Sequence, residues 1–394
     1  MLTVPQARTC PYHPSPAYQP LREGPALQRI RLATGQEAWM VSGHAEARAL
    51  LADPRVSADW AREGYPVISP SCDELPNTIH KPTFNAMDDP EHGRIRRMLI
   101  SDFTARRLKE LRADVEKIVL TTLDAMLAAG PPADLVTSFS LPVPSLAIGQ
   151  LLGVPYEDHD FFQQVTRTVA QNRGKQQVEQ ALASITTYLS ELAGDPPAGL
   201  LKRLKEEQGA TGAMEPEDLV SNALLLLFAG YETTAAVLSL SVITLLEHPE
   251  QLALLRSGPD AVPGAIEELL RYLSVIDSGP PRIAVADIEI GGTVIKAGDG
   301  IVIGSALANR DPSAFEDPDR FDISRESNHH VAFGFGVHQC LGQNLARMVL
   351  QLALPALFER IPSLRLAVPA EELRSRPTVI HVTVESINSL PVQW

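Results

Sequence analysis

From Leu219 to Leu246 the chain runs 28 residues with a single charged side chain, Glu232. An apolar run of that length has two solutions, a helix across a bilayer or a helix through the core of a large protein. The flanks decide between them. Glu215, Glu217 and Asp218 precede the run and Glu247 and Glu250 follow it, so no Lys/Arg bias orients a span. Serines and threonines recur inside it as well. The expectation is a core helix over 216–247. A chain of 394 residues, 44% hydrophobic and 21% charged, is long enough to wrap an interior around such a helix. The run leaves one question open: why its middle holds a carboxylate beside two threonines.

Around that helix the chain reads as mainly α with a smaller β portion. "LQRIRLATGQEAWMV" gives two short strands about a Thr34-Gly35 turn, followed by an amphipathic helix in "GHAEARALLAD". From Arg62 to Asp88 a Pro/Ser-rich segment shows no sustained period, and a loop of that length is usually functional or mobile. Asp89-Pro90 reads as an N-cap with proline at the first helical position, opening a long helical region through "RLKELRADVEKIVLTTLDAMLAAG". Further helices are expected near 142–152, 158–173, 175–194 and 263–273. Past Gly279 come short strands such as "DIEIGGTVIKAGDGIVIG", one more helix after Cys340, and a strand-like tail. Pro355 inside that last helix is expected to kink or shorten it. The whole, 1–394, reads as one domain: a β-rich part at about 25–60, a helical core at about 89–273, and β segments with a cysteine loop at about 280–394.

Several function classes drop out. The net charge of −14 disfavours a nucleic-acid binder working through general electrostatics. The start "MLTVPQARTCPYHPSPAYQP" lacks a charged segment followed by an apolar one, so a cytoplasmic protein with no membrane anchor is expected. Cys10, Cys72 and Cys340 form no Cys-x-x-Cys, which supports neither a disulfide framework nor a zinc ribbon.

The most informative segment is "HHVAFGFGVHQCLGQNLARMVL", residues 329–350. Gly334, Gly336 and Gly342 bracket Cys340, and a periodic helix with Leu341, Leu345, Met348, Val349 and Leu352 begins directly after it. Glycines permit φ > 0 and close approach of the backbone to a flat ligand, while a sulfur at a helix N-terminus is favoured as thiolate. A lone cysteine is otherwise a buried small hydrophobe, which is how Cys10 and Cys72 read. The stretch resembles the haem-binding loop of the cytochrome P-450 family, whose Phe-x-x-Gly-x-x-x-Cys-x-Gly pattern falls on Phe333, Gly336, Cys340 and Gly342. The resemblance implies the cytochrome P-450 fold, with a long central helix over haem b and a proximal loop whose Cys340 is the axial iron ligand. It also places Phe333, Gly334 and Gly342 against the cofactor.

The same resemblance covers the apolar run. The family's Ala/Gly-Gly-x-Asp/Glu-Thr-Thr/Ser signature is met by Ala229, Gly230, Tyr231, Glu232, Thr233 and Thr234. Activating dioxygen needs protons delivered without flooding the site with water, so a hydroxyl and a buried acid behind it suit the task. The resemblance assigns these roles to Thr233 and Glu232, with Ala229 beside the haem. Adjacent helical residues point about 100° apart, which suggests a relay through water.

Other segments fit the family too. Glu268 and Arg271 can pair on one helix face, a surface ion pair by periodicity alone but a structural core pair by resemblance, joined there by Arg320 of "DPDRF". His92 and Arg96, one turn apart, match propionate contacts of the family, as do Arg282 and His338. Arg94, Arg97, Arg106, Arg107 and Lys109 form a basic cluster that in the family docks an acidic redox partner, although a solvated helix face explains them equally. By position, substrate contacts are expected from the 62–88 loop, the 165–180 junction, Leu226, Ala229, Val275, Ile276 and Ser278, and 382–386.

The resemblance thus implies a monomeric haem-thiolate monooxygenase of the soluble bacterial branch, similar to actinobacterial enzymes of secondary metabolism and xenobiotic oxidation. Its partners would be O2, a hydrophobic small molecule to be hydroxylated or epoxidised, and a ferredoxin with its reductase or a flavin protein. Two alternatives stand beside it: a haem-thiolate enzyme that uses peroxide or catalyses isomerisation or coupling, of which a typical peroxide user replaces the acid–alcohol pair, and a haem sensor, which needs no proton relay.

Overall fold

The computed structural model describes residues 2–3, 8, 13–68, 82–170, 175–211, 214–326, 328–373, 375–379 and 383–394. Cys10, Cys72, Val382, part of the 62–88 loop and part of the 165–180 junction lie outside the described residues.

The helices that position the site begin with α1 (His44–Ala52), α2 (Glu91–Ile100) and α3 (Ala105–Ala129). Then come α4 (Pro142–Leu152), α5 (His159–Ala170), α6 (Lys175–Gly194) and α7 (Gly199–Thr211). The long apolar run forms α8 (Pro216–Glu247), followed by α9 (Pro249–Leu255), α10 (Ala261–Leu273) and, after the cysteine loop, α11 (Gln343–Arg360).

α8 starts with Pro216 in its first turn, where a missing N–H costs nothing, and stops at His248, ahead of Pro249. Its side chains are buried nearly all round, Leu224, Leu227, Leu238, Leu240 and Ile243 among them, in one core shared with α3, α4, α10 and α11. It is long and apolar enough to cross a membrane, but 72% of its most apolar window is buried inside the protein. Burial on all sides is what an all-round apolar helix requires.

The helical region from Asp89 is broken, contrary to expectation. Ser101 Oγ donates to Met98 O (3.3 Å), Thr104 Oγ1 donates to Ser101 O (3.0 Å), and Thr104 Oγ1 then accepts the Arg107 N–H that opens α3. These short side chains take backbone partners that a continuous helix would need. The N-cap of α2 is Pro90 rather than Asp89, one residue later than expected, and Asp89 Oδ1 accepts the Gly93 N–H in the first turn at 2.9 Å. α7 and α9 are additions to the expected helices, and α11 runs past Pro355 to Arg360 rather than stopping there.

The β portion is built on β1 (Leu27–Arg31), β2 (Glu37–Val41), β3 (Val56–Ser57), β4 (Arg282–Ala284) and β5 (Gly300–Ile303). They lie in the order β1-β2-β5-β4-β3, with Leu2–Thr3 outside β1. β1 and β2 are antiparallel about a turn with Gly35 at φ 86°, and β2 pairs parallel with β5 in the register Ala38↔Gly300 to Val41↔Ile303. Alternate side chains part between two cores: Ala38, Met40 and Val302 pack with Tyr18 and Leu21, while Val41, Ile301 and Ile303 pack with Leu50 of α1. The sheet thereby fixes Arg282 at the start of β4 and α1 beside it. Near the C-terminus β6 (Ser375–Val379) and β7 (Thr383–Ile387) form a hairpin, tied to the chain after α10 by the Glu385 N–H donating to Val275 O at 2.7 Å.

Candidate active site

The cysteine loop turns on two glycines in the left-handed region, Gly334 (φ 68°) and Gly336 (φ 74°). A Cβ on Gly336 would sit 2.4 Å from the Leu51 carbonyl oxygen, so only glycine lets the loop press on the end of α1. Gly342 is different: its φ is −82°, and the nearest neighbour to a Cβ there would be Phe103 at 3.9 Å. No left-handed conformation requires glycine at 342. The Cys340 N–H donates to Phe333 O at 2.8 Å, and the N–H groups of Gly342 and Gln343 reach the cysteine sulfur from the start of α11. Cys340 is exposed, but onto a cleft enclosed by enough protein to desolvate it. Burial pushes its thiol up, opposed by the Gly342 N–H and then by the charges of Arg96 and Arg347.

Beside the sulfur the fold gathers two arginines and two histidines from separate segments. Arg96 on α2 donates to Gln339 O at 2.6 Å. His92, one turn earlier, lies against His338 with ring centroids 4.1 Å apart. Arg282 is buried and donates to the carbonyls of Pro281 (2.9 Å) and Pro280 (3.3 Å). Burial, then the charges of Arg282 and His92, hold His338 down to about 3. Among the described residues neither Arg96 nor Arg282 has a carboxylate at ion-pair distance, and the buried His92 Nε2 has no hydrogen-bond partner. Buried cations and donors without a counter-charge are costly, so this group suits a dianionic ligand. A sulfur held by N–H donors beside cations fit for two carboxylates matches haem, and the four expected positions His92, Arg96, Arg282 and His338 do converge.

α8 contributes the third element. Ala229 is exposed and Gly230 half-buried although the helix is buried on either side, so α8 opens onto a cleft at that point. Glu232 is buried there, while Thr233 Oγ1 donates to Ala229 O and Thr234 Oγ1 to Gly230 O, each at 2.8 Å. Tyr231, wholly buried, donates its hydroxyl to Thr166 O of α5 at 3.0 Å.

Of the residues expected to line a substrate pocket, Leu226 and Val275 are buried in the main core and Ile276 is half-buried beside it. Ser278 is buried too, hydrogen-bonded with Tyr18 and next to Asp277, which accepts the Tyr18 hydroxyl and pairs with the buried Arg8 at 2.8 Å.

Glu268 and Arg271 are both wholly buried and pair through two bonds of 2.7 Å. Arg271 also donates to the carbonyls of Asn309 (2.9 Å) and Pro318 (2.8 Å). The expected third member, Arg320, is a correction. Its side chain is exposed toward Asp322, because its carbonyl points inward to accept from Arg271 at 3.2 Å. The third arm is Arg325, whose Nε donates to Glu268 Oε2 at 3.2 Å, joined by Asn328 at 3.3 Å. In "DPDRFDISRE" two arginines lie close together, and only the turn geometry tells which faces inward.

The comparisons with known proteins agree with this geometry. A sequence profile described as cytochrome P-450 matches residues 197–262 and 260–362. Cytochrome P-450 105A3 of Streptomyces carbophilus is 51% identical, over 99% of this chain and 95% of its own. A vitamin D3 dihydroxylase of Streptomyces griseolus is 49% identical, over 99% and 96%. The crystal structure of cytochrome P-450 MoxA from Nonomuraea recticatena superposes with a TM-score of 0.93 at 44% identity, covering 100% of this chain and 98% of that one. With its enclosed cysteine, its converging arginines and histidines and the acid–alcohol pair on its central helix, the chain belongs to the cytochrome P-450 family, as a haem b monooxygenase of the actinobacterial type.

Proposed function

We propose that this cytochrome P-450 inserts one atom of O2 into a C–H or C=C bond of a hydrophobic small molecule, releasing the other as water with two protons and two electrons. The observation that carries the reading is the buried Glu232 next to Thr233 at the point where Ala229 opens α8 onto a cleft. A peroxide-using enzyme or a haem sensor has no need of that pair.

When bound through Cys340, haem supplies the oxygen activation, and the electron push of a thiolate favours O–O cleavage. The chain's own residues do the rest. The N–H groups of Gly342 and Gln343 hold charge on the sulfur, while Arg96, Arg282, His92 and His338 would hold the propionates. Thr233 Oγ1 has spare lone pairs beyond its bond to Ala229 O, and turning that hydroxyl lets it pass a proton into the cleft. Glu232 supplies the proton from behind, and the apolar walls of α8 keep bulk water out. Leu226, Ala229, Val275 and Ile276 line the substrate side of this reading.

The exposed Arg94, Arg97, Arg106, Arg107 and Lys109 support an acidic ferredoxin-type electron donor, although Glu110 already pairs with Arg107 at 2.8 Å. A monomer in the cytoplasm is the matching setting. The test is Thr233→Ala assayed with a compound that shifts the spin state of the haem. The variant is expected to bind haem and compound normally and to divert electrons to peroxide. Unchanged product per electron pair would remove Thr233 from the relay.

A further inference from the structure

Glu267 sits beside Glu268 on α10 yet takes no part in the buried pair with Arg271. Its carboxylate receives both arms of Arg347 from α11, Nε to Oε1 at 2.6 Å and Nη2 to Oε2 at 2.9 Å. The remaining Nη1 donates to Gln343 Oε1 at 2.9 Å, in the first turn of α11. The flat guanidinium also stacks over Phe333, its carbon 4.6 Å from the ring centre. His330 flanks the same group, with Nε2 3.2 Å from Glu267 Oε2 and its ring 6.0 Å from that of Phe333. One cation therefore touches α10, the start of α11 and the residue that opens the cysteine loop. Phe333 in turn accepts the Cys340 N–H through its carbonyl.

Only arginine can make these contacts together. A guanidinium grips a carboxylate through two parallel bonds while presenting a face to an aromatic ring, and an ammonium can do neither. The pair is partly solvated, Arg347 at 24% and Glu267 at 27% exposure, so its free energy in the fold is modest beside that of the wholly buried Glu268–Arg271 pair. Its contacts are instead concentrated on the two segments that meet at Cys340.

We propose that the Glu267–Arg347 pair is a positioning device for the cysteine ligand: by clamping Phe333 and the first turn of α11 to α10, it fixes where the Cys340 sulfur points. The inference rests on the reading of Cys340 as the haem ligand. The charge of Arg347 acts in the same direction, favouring the thiolate.

The experiment follows the reduced, carbon monoxide-bound Soret band of the holoenzyme during mild warming. Wild type is compared with Glu267→Gln, which keeps the shape of the carboxylate, and with Arg347→Lys, which keeps the charge but loses the fork and the stack. Arg360→Gln, which breaks an exposed pair with Asp124 at the far end of α11, controls for general stability. The long-wavelength, thiolate-ligated band is expected to convert to the short-wavelength form about tenfold faster in both site variants. Combining them should add little to either alone. Conversion at the wild-type rate, or a change no larger than that of Arg360→Gln at matched unfolding midpoint, would overturn the proposal. A wild-type protein without the long-wavelength band would instead overturn the reading of Cys340, and the clamp with it.

Discussion

Glu232 is a charge inside an apolar helix, and its position next to Thr233 is what gives that charge a use. Replacing it with Gln keeps size and hydrogen bonding but removes the acid. Turnover is expected to fall by about 10²-fold, with the substrate-induced spin shift retained, because general acid catalysis contributes roughly that factor or more. Steady-state turnover and optical titration, run on the same preparations, check this. At this scale the sequence was legible where chemistry forces a spacing. Phe333, Gly336 and Cys340 occupy one loop because a sulfur ligand needs its N–H donors and its turn in fixed places. It was not legible for Arg320, where bond rotation decides which way a side chain faces. Arg320 turns outward and leaves Glu268 to Arg325.

Among the elements, α10 carries two acids with opposite fates. Glu268 is wholly buried and receives Arg271, Arg325, Asn328 and the Asp322 N–H. Breaking that group by Arg271→Leu leaves a buried carboxylate with fewer partners, at a cost of about 3–5 kcal/mol. Soluble, haem-containing Arg271→Leu with a wild-type denaturation midpoint would refute this. Glu267 is partly solvated. Burial alone would raise its pKa, but His330 and Arg347 more than offset that and hold it at about 2. Its folded pKa lies below the ordinary 4.5, so the carboxylate contributes stability at every pH above that value and loses it as pH falls toward about 2. In Glu267→Gln the unfolding midpoint should therefore fall less steeply over that acid range than in wild type, as measured by thermal unfolding at stepped pH. The helices α4, α6 and α8 fall at 142–152, 175–194 and 216–247, the spans expected, since an apolar segment with clear stops leaves little freedom. The break between α2 and α3 was missed because Ser101 and Thr104 are unremarkable in a helical pattern until their hydroxyls take backbone bonds.

For the whole molecule, an acidic chain of net charge −14 still carries one local group of exposed cations on α2 and the start of α3. If an acidic electron donor docks there, reversing Arg97 and Lys109 to Glu should slow reduction about tenfold at low ionic strength, with the difference shrinking as salt screens it. Stopped-flow reduction with a ferredoxin at several salt concentrations reads this out, and a salt-independent effect would speak against docking at that face. The fold was legible at this scale because one helix too long and too apolar for a surface had to be surrounded, and the loop with Cys340 said what it was surrounded for. What the sequence did not show is how the segments holding His92, Arg96, Arg282 and His338 meet, since their convergence depends on the β2–β5 pairing and on α1 bracing the cysteine loop. The most direct test of the account is the absorption spectrum of the reduced, carbon monoxide-bound protein. Thiolate ligation through Cys340 predicts the long-wavelength Soret band in wild type and its loss in Cys340→Ser. A band at the position of histidine ligation, or the same long-wavelength band in the Cys340→Ser variant, would contradict it.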